Sequence, residues 1–480
     1  PKPPDDTRPI ALFDIPTKIA TGTIGESQAP HINSALGQTQ FGAGMSSGAH
    51  RLFVESKALS SLYPTHSFTS LDATNAFGNM SRIHSLRAIR DKLPSLAPVM
   101  SSIWATGPTS VWVEVSPGSW QPHLVHDGLF QGECLASVIY CLGAATALDT
   151  FWNRVQSTPN LSDYFVNLSN STDSIIAVLA YIDDMLLIAP DHLTRQLYDI
   201  LEASFREAKV PFNPSKAKSW IPNGNTPCPE TTAVATHSPD GIKLMGAAVT
   251  GEFDDNLGPF SHSFICTRKR LDNALTLVNT IKTIFNTPLH MPKAYPLYIF
   301  ANRVIAHALD YDACVFDPAS LEGYATSLND ALISFVELVS PPINNPTFDQ
   351  PSRLQLHLPG RLGGCFLFNP IWQLDFAAAA AAFRIFSDAS KHLCHLTHLP
   401  SDHIYGHIDT APANNALARL RHKNKTITTC GTPCISSLTH VQPGRVHLLP
   451  TTPYNNTAHA LQVCCPPHEA PQETSLPPYS

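Results

Sequence analysis

Apolar and polar positions along the chain change their rhythm in three places. Residues 1–50 are rich in Pro, Gly and Ser and only weakly periodic. From 51 to 340, short apolar runs alternate with stretches of helical spacing, the pattern of an α/β or α+β body. From 450 onward prolines crowd a stretch with few apolar residues, which predicts a disordered tail. Within the body, Ser67–Leu71 is a strand-like run that ends at Asp72, and Ile175–Ile188, IIAVLAYIDDMLLI, reads as two apolar strands joined at Asp183-Asp184. Helical spacing recurs over Leu193–Ala208 and Leu271–Phe285. A longer helix is predicted over Ile371–Phe386, where Ala377–Ala382 is an unbroken run of the residue with the highest intrinsic helix preference.

Composition narrows the class. The 480 residues suggest about three lobes at roughly 150 residues each. Hydrophobic residues make up 43% and charged residues 14%, the latter well below the usual share of about 25%, so the body is no polyelectrolyte. No stretch approaches the roughly 20 apolar residues of a membrane span, and the first residues, PKPPDDTRPI, contain no leader-like apolar core. Eleven scattered cysteines are too sparse for a disulfide scaffold and predict a reducing, intracellular setting. The net charge of −7 lacks the basic footprint that phosphate binding usually leaves, and taken alone points to a small-molecule enzyme.

The carboxylates change that picture. Two adjacent acids inside a strongly apolar hairpin are costly to bury unpaired, and at a tight turn they can share a divalent cation that offsets their repulsion. An ordinary exposed Asp-Asp turn is the alternative. Asp72, at the end of a second apolar strand, adds a third carboxylate; three acids on neighbouring strand ends suit a two-metal site for phosphoryl transfer. The C-terminal His and Cys residues, from His392 and Cys394 to Cys430, Cys434, His440, Cys464 and Cys465, have a spacing irregular for a zinc knuckle or finger.

Taken in order, several segments resemble the reverse transcriptases of non-LTR-type retroelements. SLDATNAF at Ser70–Phe77 is similar to the strand bearing the family's first metal aspartate, DGLFQGECLASVIYCLG at Asp127–Gly143 to its Gln-Gly segment and following helix, and YIDD at Tyr181–Asp184 to its catalytic hairpin. TRPIALFDIPTK at Thr7–Lys18, QFGAGMSSGAHRL at Gln40–Leu52, VPFNPSKAKSW at Val210–Trp220, DGIKLMGAAV at Asp240–Val249 and LPGRLGGCFLF at Leu358–Phe368 extend the likeness across about residues 7–385. One departure stands out: QGECLAS replaces the family's usual QGDPLSP, so a proline is lost and Glu133 stands for Asp.

The resemblance implies an α+β right-hand polymerase: a palm of antiparallel sheet packed on helices, partial fingers and a helical thumb. It divides the chain into partial fingers at 1–60, palm at 61–250, thumb at 251–345, a helical, His/Cys-rich extension at 346–450 and a Pro-rich tail at 451–480. It implies RNA-directed DNA synthesis with two Mg²⁺ (or Mn²⁺) ions, an RNA template, a DNA primer and dNTPs, in nucleus and/or cytoplasm, with no membrane partner. Asp72 and Asp183 would be metal ligands with Asp184 in support. Arg8 and Lys216 would meet the triphosphate, Gln131 and Gly132 the nascent pair, and Phe77 the sugar, excluding a ribose 2′-OH. Ile242, Lys243, Leu244 and Met245 would hold the primer end. Arg268-Lys269-Arg270 suggests a helix tracking a nucleic-acid backbone. The altered Gln-Gly segment and the acidic charge leave open an inactive or domesticated nucleic-acid-binding descendant.

Overall fold

The computed structural model describes residues 15–37, 40–105, 107–162, 174–249, 265–288, 293–340, 347, 349–357, 365 and 367–428. The chain groups into two compact units, residues 1–269 with 384–409, and residues 270–383 with 410–480. Residues 384–409, inside the segment read as a C-terminal extension, thus belong to the first unit.

The first unit is built on a mixed sheet. Its strands are β1 (His66–Asp72), β4 (Ala177–Tyr181), β5 (Asp184–Pro190), β6 (Lys218–Trp220) and β7 (Thr236–His237), in the order β4-β5-β1-β6-β7, antiparallel except for the β6–β7 pair. A separate ribbon, β2 (Thr109–Ser116) and β3 (Ser119–Val125), and a hairpin, β8 (Ile242–Leu244) and β9 (Ala247–Val249), complete the strands. The helices are α1 (Ile15–Leu36), α2 (Gly48–Leu62), the turn α3 (Ala76–Asn79), α4 (Arg82–Lys92), α5 (Ala97–Ala105), α6 (Ala136–Ser157) and α7 (Thr194–Glu207).

Val178, Ala180, Met185, Leu187, Ala189 and Leu71 share one sheet face and join a core with Ile139, Leu142 and Phe151 of α6 and Leu197, Leu201 and Phe205 of α7. The opposite face is also buried, with Phe68 packed on its cross-strand partner Trp220 at a ring separation of 5.7 Å. Burial on both faces is why the central strands read as unbroken apolar runs rather than alternating ones. Helix α7 is amphipathic: its buried stripe is Leu197, Leu201 and Phe205, and its outer face carries the i,i+4 pairs Arg195–Asp199 and Glu202–Arg206, both at 2.9 Å.

The second unit is helical among its described residues. It holds most of α8 (Ile265–Asn286), then α9 (Ala294–Arg303), α10 (Asp310–Val315), α11 (Pro318–Val339), α12 (Gln350–Leu356), the start of α13 (Pro370–Thr397), and α15 (Ala411–Thr428); α14 (Ser401–His407) lies in the first unit. Leu271, Ala274, Val278 and Ile281 form the buried stripe of α8. Asp317 caps α11 by accepting the Ala319 N–H, with Pro318 in the first turn where no N–H is needed. Helix α13 runs eleven residues past the predicted Phe386, because the spacing of IFSDASKHL after the alanines continues to bury Ile385, Ala389 and Leu393. Among the described residues no helix is long and apolar enough to cross a membrane.

Candidate active site

Strand pairing brings the acids together. Asp72 is the last residue of β1, and its cross-strand partner is Asp184, the first residue of β5. Tyr181 pairs with Asp184, so the turn residues are Ile182 and Asp183 rather than the two aspartates. Ile182 sits at φ 56°, a left-handed conformation that a β-branched residue resists.

A clamp holds that turn. The buried Gln40 side chain accepts the Ile182 N–H through Oε1 at 2.9 Å and the Gly42 N–H at 2.9 Å. The Phe41 N–H donates to the Ala180 carbonyl at 2.7 Å. A Cβ at residue 42 would lie 2.4 Å from the Ile182 nitrogen, so only glycine lets the two segments approach. Strained backbone persists only where its surroundings over-determine it, and here the segment 40–42 does so.

A second loop docks on the end of β1. The Asn213 N–H donates to the Asp72 carbonyl at 2.9 Å and the Thr74 N–H to the Pro211 carbonyl at 2.8 Å. The Lys216 ammonium thereby comes to 3.0 Å from Asp72 Oδ2. Both side chains keep solvent access, so the pair places a cation at the acids more than it stabilises the fold.

Phe77 follows on α3. Its ring is 9% exposed and stacks on Tyr140 of α6, with centroids 5.1 Å apart and planes at 23°. Its carbonyl accepts the Leu129 N–H at 2.7 Å, which ties it to the loop carrying the half-buried Gln131 and the exposed Gly132. Gly128, at φ 85°, admits this approach, since a Cβ there would lie 2.3 Å from the Gly78 carbonyl oxygen. Arg82 braces the same loop from within: Nε donates to the Gly128 carbonyl at 2.9 Å, Nη2 to Thr109 at 3.2 Å, and its backbone N–H to Asp127 at 2.6 Å. Lys209 reaches the other Asp127 oxygen at 2.8 Å.

Electrostatics mark the same spot. Burial drives the Tyr140 phenol well above its ordinary pKa, and the negative charges of Asp183, Asp184 and Asp72 add to the rise. Cys141 is raised by burial and then by Asp183. Three carboxylate fields thus converge on one buried aromatic pair.

The donor set consists of hard oxygens, and Mg²⁺ commonly uses one or two carboxylates with substrate phosphates completing its shell. Asp72, Asp183 and Asp184 offer oxygens of that kind, but in the arrangement seen here they do not form a ready three-ligand cage. Among the described residues no group of three or more His, Cys, Asp and Glu could by itself hold a metal ion. His392 is instead bound to Glu55, and Cys430, Cys434, His440, Cys464 and Cys465 lie outside the described residues.

Of the other sequence-derived candidates, Ile242 and Leu244 are buried and Lys243 is exposed on the β8–β9 hairpin, which turns at Met245 (φ 48°) and Gly246 (φ 80°) and packs against β1 and β6. Arg8 lies outside the described residues. Arg270, the last of the basic triplet, donates through Nε to the fully buried Asp312 at 2.6 Å, while its own side chain stays 27% exposed. Sequence reading missed Gln40, Gly42 and Tyr140 as parts of the site. The signal available for the first two was a Gln and a Gly two residues apart in an otherwise weakly patterned segment, whose partner lies 142 positions away.

No family model and no curated protein matches the chain. Solved structures of telomerases share a weak likeness. One is telomerase from Candida albicans in complex with a TWJ fragment of telomeric RNA, at 13% identity and TM-score 0.33, covering 80% of this chain and 58% of that one. Another is apo telomerase from Candida tropicalis, at 9% identity and TM-score 0.35, covering 79% and 59%. The chain therefore spans less than two thirds of the length of either.

Proposed function

We propose that the chain is an RNA-directed DNA polymerase from a non-LTR-type retroelement, with the five-stranded sheet as palm, the helices of the second unit as thumb, and the N-terminal segment as part of the fingers. The observation that carries this reading is the register placing Asp72 opposite Asp184, with Asp183 in the clamped turn between β4 and β5. Extension joins the primer 3′-oxygen to the α-phosphorus of a dNTP and releases pyrophosphate. Two Mg²⁺ or Mn²⁺ ions, held by Asp72 and Asp183 with Asp184 in support, would supply charge stabilisation at the entering and leaving oxygens.

The chain's own groups serve positioning. Lys216, beside Asp72, is placed to screen the charge of the departing pyrophosphate. The Phe77 ring, braced on Tyr140, presents a rigid edge that a 2′-OH would strike, which selects dNTPs. Gln131 and Gly132 offer an amide and an open backbone to the nascent pair. Ile242–Met245 support the primer end, and Arg8 meets the triphosphate.

A second reading, an inactive nucleic-acid-binding descendant, draws on the Lys216–Asp72 ion pair, since an ammonium on that carboxylate competes with a metal for it. Primer extension on an RNA template with dNTPs and Mg²⁺ separates the two. Extension by the parent chain that vanishes in Asp183→Ala supports the polymerase. Duplex binding without extension supports the descendant, and neither activity refutes both.

A further inference from the structure

A cavity of about 600 Å³ opens in the first unit, lined by Asn33, Ser34, Arg51, Asp388, Lys391 and His392 among others and by none of the three aspartates. Two of its lining residues, Arg51 and His392, hold a buried carboxylate between them. Glu55 is fully buried; it accepts from Arg51 Nε at 2.6 Å on one oxygen and pairs with His392 Nδ1 through the other. A buried carboxylate needs both partners, and each partner is fixed in return. Arg51 is further pinned with its guanidinium carbon 5.7 Å from the centre of the Phe41 ring, and His392 meets that ring edge-on at 5.8 Å.

The consequence is a preorganised cationic wall. With Nε committed to Glu55, the Arg51 terminal nitrogens remain for the cavity, where Lys391 adds an ammonium and His392 an imidazole. One fixed guanidinium, a lysine ammonium and a histidine suit a terminal phosphate, which carries close to two negative charges near neutrality, better than a singly charged phosphodiester. Asp388, the one carboxylate on the wall, and the Asn33 and Ser34 side chains suit hydroxyl groups on the same ligand. The volume falls in the range of small-ligand sites, which is roughly 300–1,000 Å³.

We propose that this cavity is a second ligand site, one for a terminal phosphate monoester on a ribose: a nucleoside 5′-monophosphate or the 5′-phosphorylated end of a strand. The proposal does not depend on the polymerase reading. Phe41, whose ring touches both Arg51 and His392, also donates its N–H to Ala180, so two lining residues of the cavity contact the clamp on the Ile182–Asp183 turn.

The test is isothermal titration of the full chain with inorganic phosphate, AMP, a 5′-phosphorylated trinucleotide and its 5′-hydroxyl counterpart. AMP and phosphate are expected to bind saturably. Lys391→Glu, at an exposed position, and Arg51→Lys, which retains a cation for Glu55, should each weaken binding by about 10-fold or more. Asp72→Asn should leave it unchanged. Preference for the phosphorylated strand over AMP, or the reverse, supports the site and identifies the source of the phosphate. No saturation by phosphate or AMP up to about 10 mM, affinity unaltered by both cavity variants, or binding lost in Asp72→Asn would overturn it.

Discussion

Replacing Gln40 with Ala should destabilise the turn that carries Asp183 more than its single side chain suggests. The amide satisfies two backbone donors, the Ile182 and Gly42 N–H groups, each at 2.9 Å. Gln40 itself is 1% exposed, so water does not replace it without rearrangement. An orphaned buried donor costs about 1–3 kcal/mol, and two of them, both at half-buried residues, give roughly 2–4 kcal/mol. The variant also frees Ile182 to leave its left-handed conformation, which costs an L-residue roughly 1–2 kcal/mol to hold. Relaxation of the turn therefore returns part of the loss locally and moves Asp183. Two measurements follow: urea denaturation, and amide hydrogen exchange at Ile182 and Asp183. Gln40→Ala should lower stability by about 2–3 kcal/mol and speed exchange at the turn before the rest of the sheet. A stability within about 0.5 kcal/mol of the parent, with exchange at the turn unchanged, would refute the clamp.

Two further outcomes are open to direct measurement. Phe77→Val shortens the ring edge beside Tyr140, so in primer extension the preference for dNTPs over rNTPs should fall by about 10²-fold with dNTP incorporation largely retained; unchanged discrimination would remove Phe77 from sugar selection. His66 accepts the Ile175 N–H at 3.1 Å through Nε2, and burial, with the nearby His192, lowers its pKa to about 4 from 6.5. The folded state resists a proton that the unfolded chain takes up, so this contribution is full above pH 6.5 and is lost as pH falls towards 4. It amounts to about 3 kcal/mol, and a pH series of denaturation midpoints should lose its acid limb in His66→Gln.

What the sequence made legible follows from the range of the forces involved. The central strands were plain because burial on both faces leaves unbroken apolar runs, and the acids interrupting them were conspicuous for the same reason. The amphipathic spacing of α7 marked its bounds to within a residue or so. Helix α1 was hidden: Gly22, Gly25 and Pro30 dilute its helical signal, and only Thr21, Ile32 and Leu36 are buried. The turn was misread by one position, since Asp183-Asp184 has the composition of a two-residue loop while the ladder places Ile182 there instead. An Ile at positive φ contradicts local preference, and local preference is all that a segment read alone can reveal. Its cause, the Gln40 amide, is supplied by a distant part of the chain.

Charge is distributed with the same dependence on distant partners. The acidic total spoke against nucleic acid, yet a net charge counts every cation equally. Arg82 is spent bracing the Gly128 carbonyl, Arg270 and Asp312 neutralise one another inside the second unit, and Arg419 pairs with Asp375 and Glu322. Lys216, by contrast, is exposed and stands at 3.0 Å from Asp72. A polyanion meets the cations that remain at the surface and their placement, and at the sheet end Lys216 stands beside the acids rather than in a basic stripe. For a reaction in which phosphate charge is brought to carboxylates, a local arrangement of this kind matters more than the sign of the whole chain, and it is invisible to any sum over residues.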